Sequence, residues 1–223
     1  LDCGIKAIEN VNYASKKNID FIICDHHKPG DKLPKAVAVL NAKREDCFYP
    51  FDEICGCGVG FKLIQALASK RGQTLEDLTQ YLDLVATAIA ADIVPITGEN
   101  RILTYFGLQV INSNPRNGIK AIIQGVKKNI LTITDVVFII APRINAAGRM
   151  KHGNYAVELL TEMDYETAIS FAASIEKFNI ERKEIDKKIT YEALQQIEAA
   201  DEKEKFSTVV YSEDWHKGVI GIV

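Results

Sequence analysis

The sequence lacks several features that would assign it to other classes of protein. No run of apolar residues is long enough to cross a bilayer, so we expect no membrane span. The five cysteines are an odd number without paired spacing, which argues against a disulfide framework and favours a reducing compartment; we expect a cytoplasmic protein. The sequence also lacks an excess of positive charge. Its net charge of −3 argues against a nucleic-acid-binding coat over the whole surface but leaves room for a local basic groove.

Both ends of the chain look interrupted. The sequence begins at Leu1 without a methionine and ends in an apolar run at residues 218–223. We interpret it as a piece of a longer protein with a domain cut at each end. Its 223 residues, of which 47% are hydrophobic and 26% charged, suffice for one full core and part of a second.

The first part of the chain has the pattern of an α/β domain. Residues 21–24 and 36–40 are short continuous apolar runs, typical of strands buried on both faces. A helical face from about residue 5 to 17 precedes the first of them. This alternation of helix and strands predicts a parallel sheet with helices on both faces. We assign residues 1–163 to this domain. Further helices are predicted over residues 56–70, 75–91 and 99–111, with a short one ending near Gly125.

A long helix is predicted in the second half of the chain. Residues 164–200 contain neither proline nor glycine and are rich in helix-forming residues. A helix of that length extends roughly 55 Å, too long for one small domain. We therefore predict an interdomain connector over residues 164–204. Residues 205–223 would begin a second α/β domain, with its first strand at 206–211.

Acids and imidazoles cluster where the predicted strands end. Asp25, His26 and His27 directly follow one strand, and Asp2 ends the segment before it. Because ligands bind at the carboxyl ends of parallel strands, these side chains can form one site. Carboxylates and imidazoles suit a hard divalent cation, and we expect Mn²⁺ or Mg²⁺. Asp92 is a further candidate because it ends an apolar helix; a helix-capping role for it and structural roles for the histidines remain open.

A zinc site is not expected. Cys3 and Cys24 precede turns and are predicted to point into the core. Cys47, Cys55 and Cys57 lack the spacing of paired zinc ligands.

Five segments resemble known families. Residues 25–27 resemble the signature triplet of the DHH phosphoesterase superfamily, and residues 2–5 and 91–95 resemble two of its other motifs. Residues 142–150 and 215–223 resemble segments of the RecJ family, bacterial single-strand-specific 5′→3′ exonucleases. The resemblance covers essentially the whole chain in the right order.

The resemblance implies a role for each residue of the cluster. Asp2 would bridge two metal ions, and His26 and Asp92 would ligate one of them. His27 would face the scissile phosphate, and Asp25 would orient the group. The last residues would begin a DHH-associated (DHHA1-type) domain. The family's first motif belongs upstream of Asp2, so this chain alone is expected to show little or no nuclease activity with Mn²⁺ and 5′-phosphorylated single-stranded DNA.

Other side chains are candidates for holding nucleic acid. Arg143 and Arg149 are predicted to flank a glycine-containing turn and to bind phosphate, with Asn145 supporting the turn. Trp215 and His216 could stack on bases. Ion-pair roles for the arginines and an interface position for the tryptophan remain open.

The resemblance implies a single-stranded-DNA-specific 5′→3′ exonuclease that acts in repair and recombination by two-metal-ion hydrolysis. A DHH-type phosphodiesterase for oligoribonucleotides or cyclic dinucleotides is an alternative within the enzymes. A non-catalytic single-strand-binding relative is an alternative outside them. Single-stranded DNA is the expected partner; helicase or single-strand-binding protein partners cannot be read from the sequence.

Overall fold

The computed structural model describes residues 1–200 and 205–222. Residues 201–204, assigned above to the end of the connector, and Val223 lie outside the described residues. In chain order the elements are α1 (Ile8–Ser15), β1 (Ile22–Cys24), β2 (Ala38–Leu40), α2 (Gly56–Lys70), a 3₁₀ segment (Glu76–Tyr81), α3 (Leu82–Asp92), α4 (Gly98–Ser113), α5 (Asn117–Ile123), α6 (Ile133–Asp135), a π-helical turn (Val136–Ile140), α7 (Ala141–Met150), α8 (Asn154–Thr161), α9 (Tyr165–Ala199) and a 3₁₀ turn (Ile220–Ile222).

The chain divides into two compact units. The first comprises Leu1–Arg116 and Lys127–Ala141, and the second comprises Asn117–Val126 and Pro142–Val223. The domain division at residues 163/164 and 204/205 stays a prediction.

The sheet of the first unit is parallel, as predicted. Ile22 pairs with Ala38 and Cys24 with Leu40. The Asp2 N–H donates a hydrogen bond of 2.8 Å to the Cys24 carbonyl, so the chain at Asp2 lies beside the end of β1. The carboxyl end of β1 therefore meets the segment that carries the first predicted acid.

Strand β1 is buried on both faces only at its carboxyl end. Ile23 and Cys24 are 2% and 1% exposed, and they point to opposite faces of the sheet. Ile22 is 58% exposed, so the expectation of burial along the whole strand was wrong for its start. The two ends of the strand differ in burial because Cys24 packs against Ile54, just before α2, and against Val59, in the first turn of α2.

Helix α3 forms the centre of the first unit. Val85, Ala86 and Ile89 have at most 1% of their surface exposed, and the helix packs against α2 and α4. The sequence predicted one helix over residues 75–91, whereas the structure divides it into the 3₁₀ segment and α3. Because α3 packs against neighbouring helices on several sides, the position of its last residue, Asp92, is well fixed.

The long helix α9 of the second unit is confirmed. It comprises 35 residues, and the Asp164 side chain caps it by accepting a 2.7 Å hydrogen bond from the Thr167 N–H. Its first half packs against α5 and α8. Farther along, Ile189 is 3% exposed and packs with Met150 and Val219. None of the described helices has the length and apolarity needed to span a bilayer.

The strand predicted at residues 206–211 is not formed. A strand requires a neighbouring strand to satisfy its backbone groups, and this segment has none among the described residues. The Tyr211 backbone instead exchanges hydrogen bonds with the Gln196 side chain, at 2.9 and 3.0 Å.

The turn predicted between Arg143 and Arg149 is a helix. Both arginines lie within α7, together with the internal Gly148. An internal glycine destabilises a helix by about 1 kcal/mol relative to alanine. Complete burial of Ala146 and Ala147 offsets that cost. The glycine in the sequence indicated a turn, but the local sequence does not show that these two alanines are buried.

Candidate metal centre

Asp2 is held in an unusual backbone conformation beside the end of β1. Its φ angle is +61°, in the left-handed region that aspartate tolerates better than most residues. The hydrogen bond from its N–H to the Cys24 carbonyl fixes this position. The side chain remains 56% exposed, so its carboxylate is accessible to a ligand.

His26 lies between two carboxylates. Its Nε2 is 3.2 Å from Asp2 Oδ1 and 3.8 Å from Asp92 Oδ2. A ring nitrogen that faces two carboxylate oxygens requires a proton or a cation, because its lone pair would repel both. The other ring nitrogen, Nδ1, is buried and has no hydrogen-bond partner among the described residues. The ring directs Nε2 at the acids and lies against the His27 ring, with the two ring centroids 4.5 Å apart.

His27 is oriented by Asp25. Its Nδ1 lies 2.7 Å from Asp25 Oδ1, and 59% of its side chain is exposed. The Asp25 carboxylate also accepts hydrogen bonds from the N–H groups of His26 and Ile5, at 2.8 and 2.9 Å. The predicted orienting role of Asp25 agrees with this geometry and stays a prediction.

The ionisation of Asp25 determines the tautomer of His27. Burial alone would raise the pKa of Asp25, but hydrogen bonds from the Ile5 N–H and from His27 outweigh it, and the pKa lies below its ordinary value. An ionised Asp25 can only accept, so His27 Nδ1 carries the proton between them. His27 Nε2 is therefore the nitrogen available for a metal ion or a phosphate.

Asp92 enters the cluster from the end of α3. Burial raises its pKa, and the charge of Asp2 raises it further, against the opposing effect of His26 and His27. A cation near these two carboxylates would relieve their repulsion. The adjacent Ile93 ends the helix in the left-handed conformation, with φ +55°.

The donor atoms fit a hard divalent cation. Asp2, His26 and His27 each offer one ligand atom, and these atoms lie within 4.8 Å of one another. Asp92 adjoins this group through His26. Such a mixture of carboxylate and imidazole ligands suits Mn²⁺ or Mg²⁺.

The cysteines near the cluster are poor ligands at neutral pH. Burial raises the pKa of Cys55 to about 11 and that of Cys57 to about 12. The negative charges of Asp2 and Asp92 act in the same direction. Cys24 is buried as predicted, whereas Cys3 is exposed, contrary to expectation, because it lies on the irregular segment before α1.

Gly56 provides the space that Asp2 occupies. A Cβ atom at this position would lie 1.9 Å from Asp2 Oδ1 and 2.6 Å from its Cγ. Gly56 is the first residue of α2, so the carboxylate rests at the amino end of a 15-residue helix, where a negative charge is favoured. The sequence analysis placed a helix start here but did not connect it with Asp2.

We expect Gly56→Ala to weaken metal binding without unfolding the protein. The added methyl group would displace the Asp2 carboxylate, whose exposed side chain can move, and alanine is favourable in a helix. Because the substitution misplaces a proposed ligand, we expect Mn²⁺ affinity to fall by roughly 10-fold or more, as measured by calorimetry.

Gly153→Ala is the matched control, since a Cβ there would meet nothing within 4 Å. Equal Mn²⁺ affinity in the two variants would contradict the role given to Gly56.

Asn41 is a second residue that the sequence analysis missed. It is 4% exposed and its Nδ2 donates a 2.9 Å hydrogen bond to the His27 carbonyl. Its position directly after β2 matches that of Asp25 after β1, and this parallel is the signal that could have revealed it. Asn41 thereby fixes the loop on which His27 lies.

The predicted phosphate-binding residues lie in the second unit. The Arg143 Nε lies 2.5 Å from Glu176 Oε2, and Arg149 Nη1 donates to the Gly218 carbonyl at 3.2 Å. Asn145 is exposed. The ion-pair alternative thus describes the observed contact of Arg143, while phosphate binding by these residues stays a prediction.

Trp215 and His216 contact their own unit. The Trp215 indole donates a 2.8 Å hydrogen bond to Glu192 on α9 and packs with Ile189 and Met150. His216 Nδ1 accepts from the Gly218 N–H at 3.1 Å. Base stacking by these rings stays a prediction.

Comparison with known proteins confirms the resemblance. Residues 1–89 match the family model described as "DHH family, N-terminal domain". The whole chain is 37% identical to the single-stranded-DNA-specific exonuclease RecJ of Bacillus subtilis and 34% identical to that of Escherichia coli. The chain spans only 28% and 41% of the lengths of these two proteins.

Solved structures show the same fold. The crystal structure of RecJ in complex with Mn²⁺ from Thermus thermophilus has a TM-score of 0.87 at 29% identity, over 100% of this chain and 33% of that one. A crystal structure of exonuclease RecJ bound to manganese has a TM-score of 0.86 at 29% identity, over 100% of this chain and 55% of that one. The predicted α/β fold is thereby confirmed.

Proposed function

We propose that this chain is the catalytic portion of a metal-dependent phosphodiesterase and, within that class, of a RecJ-like exonuclease that degrades single-stranded DNA from its 5′ end. The observation that carries the proposal is the convergence of Asp2, His26 and His27 at the end of a parallel strand, with Asp92 beside them. The similarity to RecJ proteins over the whole chain supports the choice of single-stranded DNA as substrate.

Asp2, His26 and Asp92 would hold Mn²⁺ or Mg²⁺, with two ions in the complete site. The structures of the similar RecJ proteins contain Mn²⁺ in two cases and Mg²⁺ in another. When bound, such ions polarise phosphoryl oxygens and lower the pKa of water, which activates it for in-line attack at phosphorus.

His27 would act on the phosphate, and Asp25 would orient His27. Asp25 holds the proton on His27 Nδ1, so the opposite nitrogen is directed away from this pair. In its protonated form, His27 Nε2–H can donate to a phosphoryl oxygen or to the leaving group. The exposure of this ring, at 59% of its side chain, would let it reach a bound strand.

The second unit would contribute to strand binding. Arg143 and Arg149, with Asn145, would contact the backbone, and Trp215 and His216 would contact the bases. We also propose residues 1–163, 164–204 and 205–223 as the domain division, and a cytoplasmic enzyme of DNA repair and recombination. All five cysteines are free thiols, which agrees with a reducing compartment.

Hydrolysis of end-labelled substrates by the full-length protein tests this function. With Mn²⁺, we expect mononucleotide release from the 5′ end of single-stranded DNA, little cleavage of duplex DNA, and none in EDTA. Faster hydrolysis of dinucleotides than of long DNA would favour the alternative phosphodiesterase. Strand binding without hydrolysis or metal binding would favour a non-catalytic protein.

A further inference from the structure

Asn100 is a buried amide that links two backbone segments. Its side chain lies near the start of α4 and the residue is 0% exposed. The Nδ2 group donates to the Glu53 carbonyl at 2.7 Å and to the Pro95 carbonyl at 3.0 Å. Both of its N–H groups are therefore used to connect segments far apart in the chain.

These two segments carry the supports of the metal centre. Glu53 lies three residues before Gly56, against which the Asp2 carboxylate rests. Pro95 lies three residues after Asp92. One side chain thus joins the backbone that shapes the position of Asp2 to the backbone that follows Asp92.

The segment after Asp92 needs such a restraint. Ile93 has φ +55°, a conformation that is unfavourable for an L-residue and more so for a β-branched one. Its side chain is 84% exposed, so packing does not compensate for the strain. Strained residues persist only when their surroundings hold them. Pro95 lies two residues after Ile93, and its carbonyl accepts a hydrogen bond from Asn100. This hydrogen bond supplies one such restraint.

Stability alone is a poor explanation for this residue. Asn100 Oδ1 is buried without a partner among the described residues, and an unsatisfied buried acceptor is destabilising. What the amide does provide is the direct link between the Glu53 and Pro95 carbonyls.

We propose that Asn100 is a positioning residue that maintains the spacing of Asp2 and Asp92 for metal binding, by joining the Glu53 and Pro95 carbonyls. This inference rests on the proposed function, because it assigns Asn100 to the metal centre on which that function depends. Removing the amide frees the left-handed turn at Ile93, and Asp92 then loses its fixed distance from His26.

Asn112 provides a control of the same residue type on the same helix, at an exposed position. Its Nδ2 donates to the Leu108 and Leu131 carbonyls, and its Oδ1 accepts from the Leu131 N–H, at 2.7–2.9 Å. Asn112→Ala therefore also removes an asparagine that bridges two segments, but neither segment carries a proposed ligand.

The experiment measures Mn²⁺ binding to the full-length protein by calorimetry, and its melting temperature in EDTA and in Mn²⁺. Because Asn100 acts through the backbone and bonds to no ligand, we expect Asn100→Ala to reduce Mn²⁺ affinity by roughly 10-fold, the lower end of the loss for groups bonded to a ligand, and to shrink the Mn²⁺-induced rise in melting temperature. Asn112→Ala should lower the melting temperature in EDTA and keep the wild-type Mn²⁺ affinity. Asn100→Ser, which retains one donor, should be intermediate and serves if Asn100→Ala does not fold.

The possible outcomes separate this inference from the proposed function. If wild-type protein binds Mn²⁺ and the Asn100 variants bind it as tightly as Asn112→Ala does, the positioning role is wrong and the proposed function stands. If wild-type protein binds no Mn²⁺, both are wrong.

Discussion

Replacement of Asp2 with alanine is expected to abolish metal-dependent hydrolysis. Its carboxylate is the group that approaches His26 Nε2 most closely, at 3.2 Å, and it also belongs to the cluster with His27. Loss of a group that hydrogen-bonds to a metal ligand costs roughly 10- to 100-fold in affinity or activity, so loss of a proposed ligand itself should exceed about 100-fold. Mn²⁺ titration by calorimetry and single-turnover hydrolysis of single-stranded DNA by the full-length protein measure the two effects.

The fold should survive this substitution, which makes the result interpretable. More than half of the Asp2 side chain is exposed, so little packing is lost, and the left-handed backbone at φ +61° should cost alanine no more than about 1–2 kcal/mol. Asp20→Ala is the control, because it removes the same charge from an exposed loop of the first unit. If Asp2→Ala retained Mn²⁺ affinity equal to that of Asp20→Ala, the proposed metal centre would have to be abandoned.

Arg116→Ala is expected to lower the free energy of unfolding strongly, because it removes the partner of a buried carboxylate. Asp83 is 0% exposed, and the Arg116 guanidinium donates to both of its carboxylate oxygens at 2.8–3.0 Å. Removing one partner of a buried ion pair costs about 3–5 kcal/mol, since the remaining charge stays buried. The N–H groups of Leu84 and of residue 116 would still donate to Asp83, so we expect a loss near 3 kcal/mol. Urea unfolding measures this change in the free energy of unfolding.

Two further variants test the cause of this loss. Asp83→Asn in the Arg116→Ala background should recover part of the stability, because it removes the unpaired charge. Lys188→Ala, which breaks an exposed pair with Glu192 at 3.8 Å, should change the free energy of unfolding by no more than about 0.5 kcal/mol. A loss below about 1 kcal/mol for Arg116→Ala would show that the pair does not stabilise the first unit as argued.

Local patterns predicted the elements that carry the site. The run at residues 21–24 indicated β1, and the helix beginning after Asp164 was predicted close to its observed ends. These features depend on neighbouring residues, through side-chain alternation in strands and the lack of helix-breaking residues. The segment at residues 206–211 was also predicted to be a strand but forms none, because strand formation depends on a partner that the local pattern does not specify.

The sequence by itself determined which acids and imidazoles follow the strand and the helix, namely Asp25, His26, His27 and Asp92. Only the tertiary structure decided which of their atoms face one another. The space at Gly56 for Asp2 and the link through Asn100 depend on the packing of segments distant in the chain. Local propensity contains no information about such distances, since they are set when the core of the first unit packs.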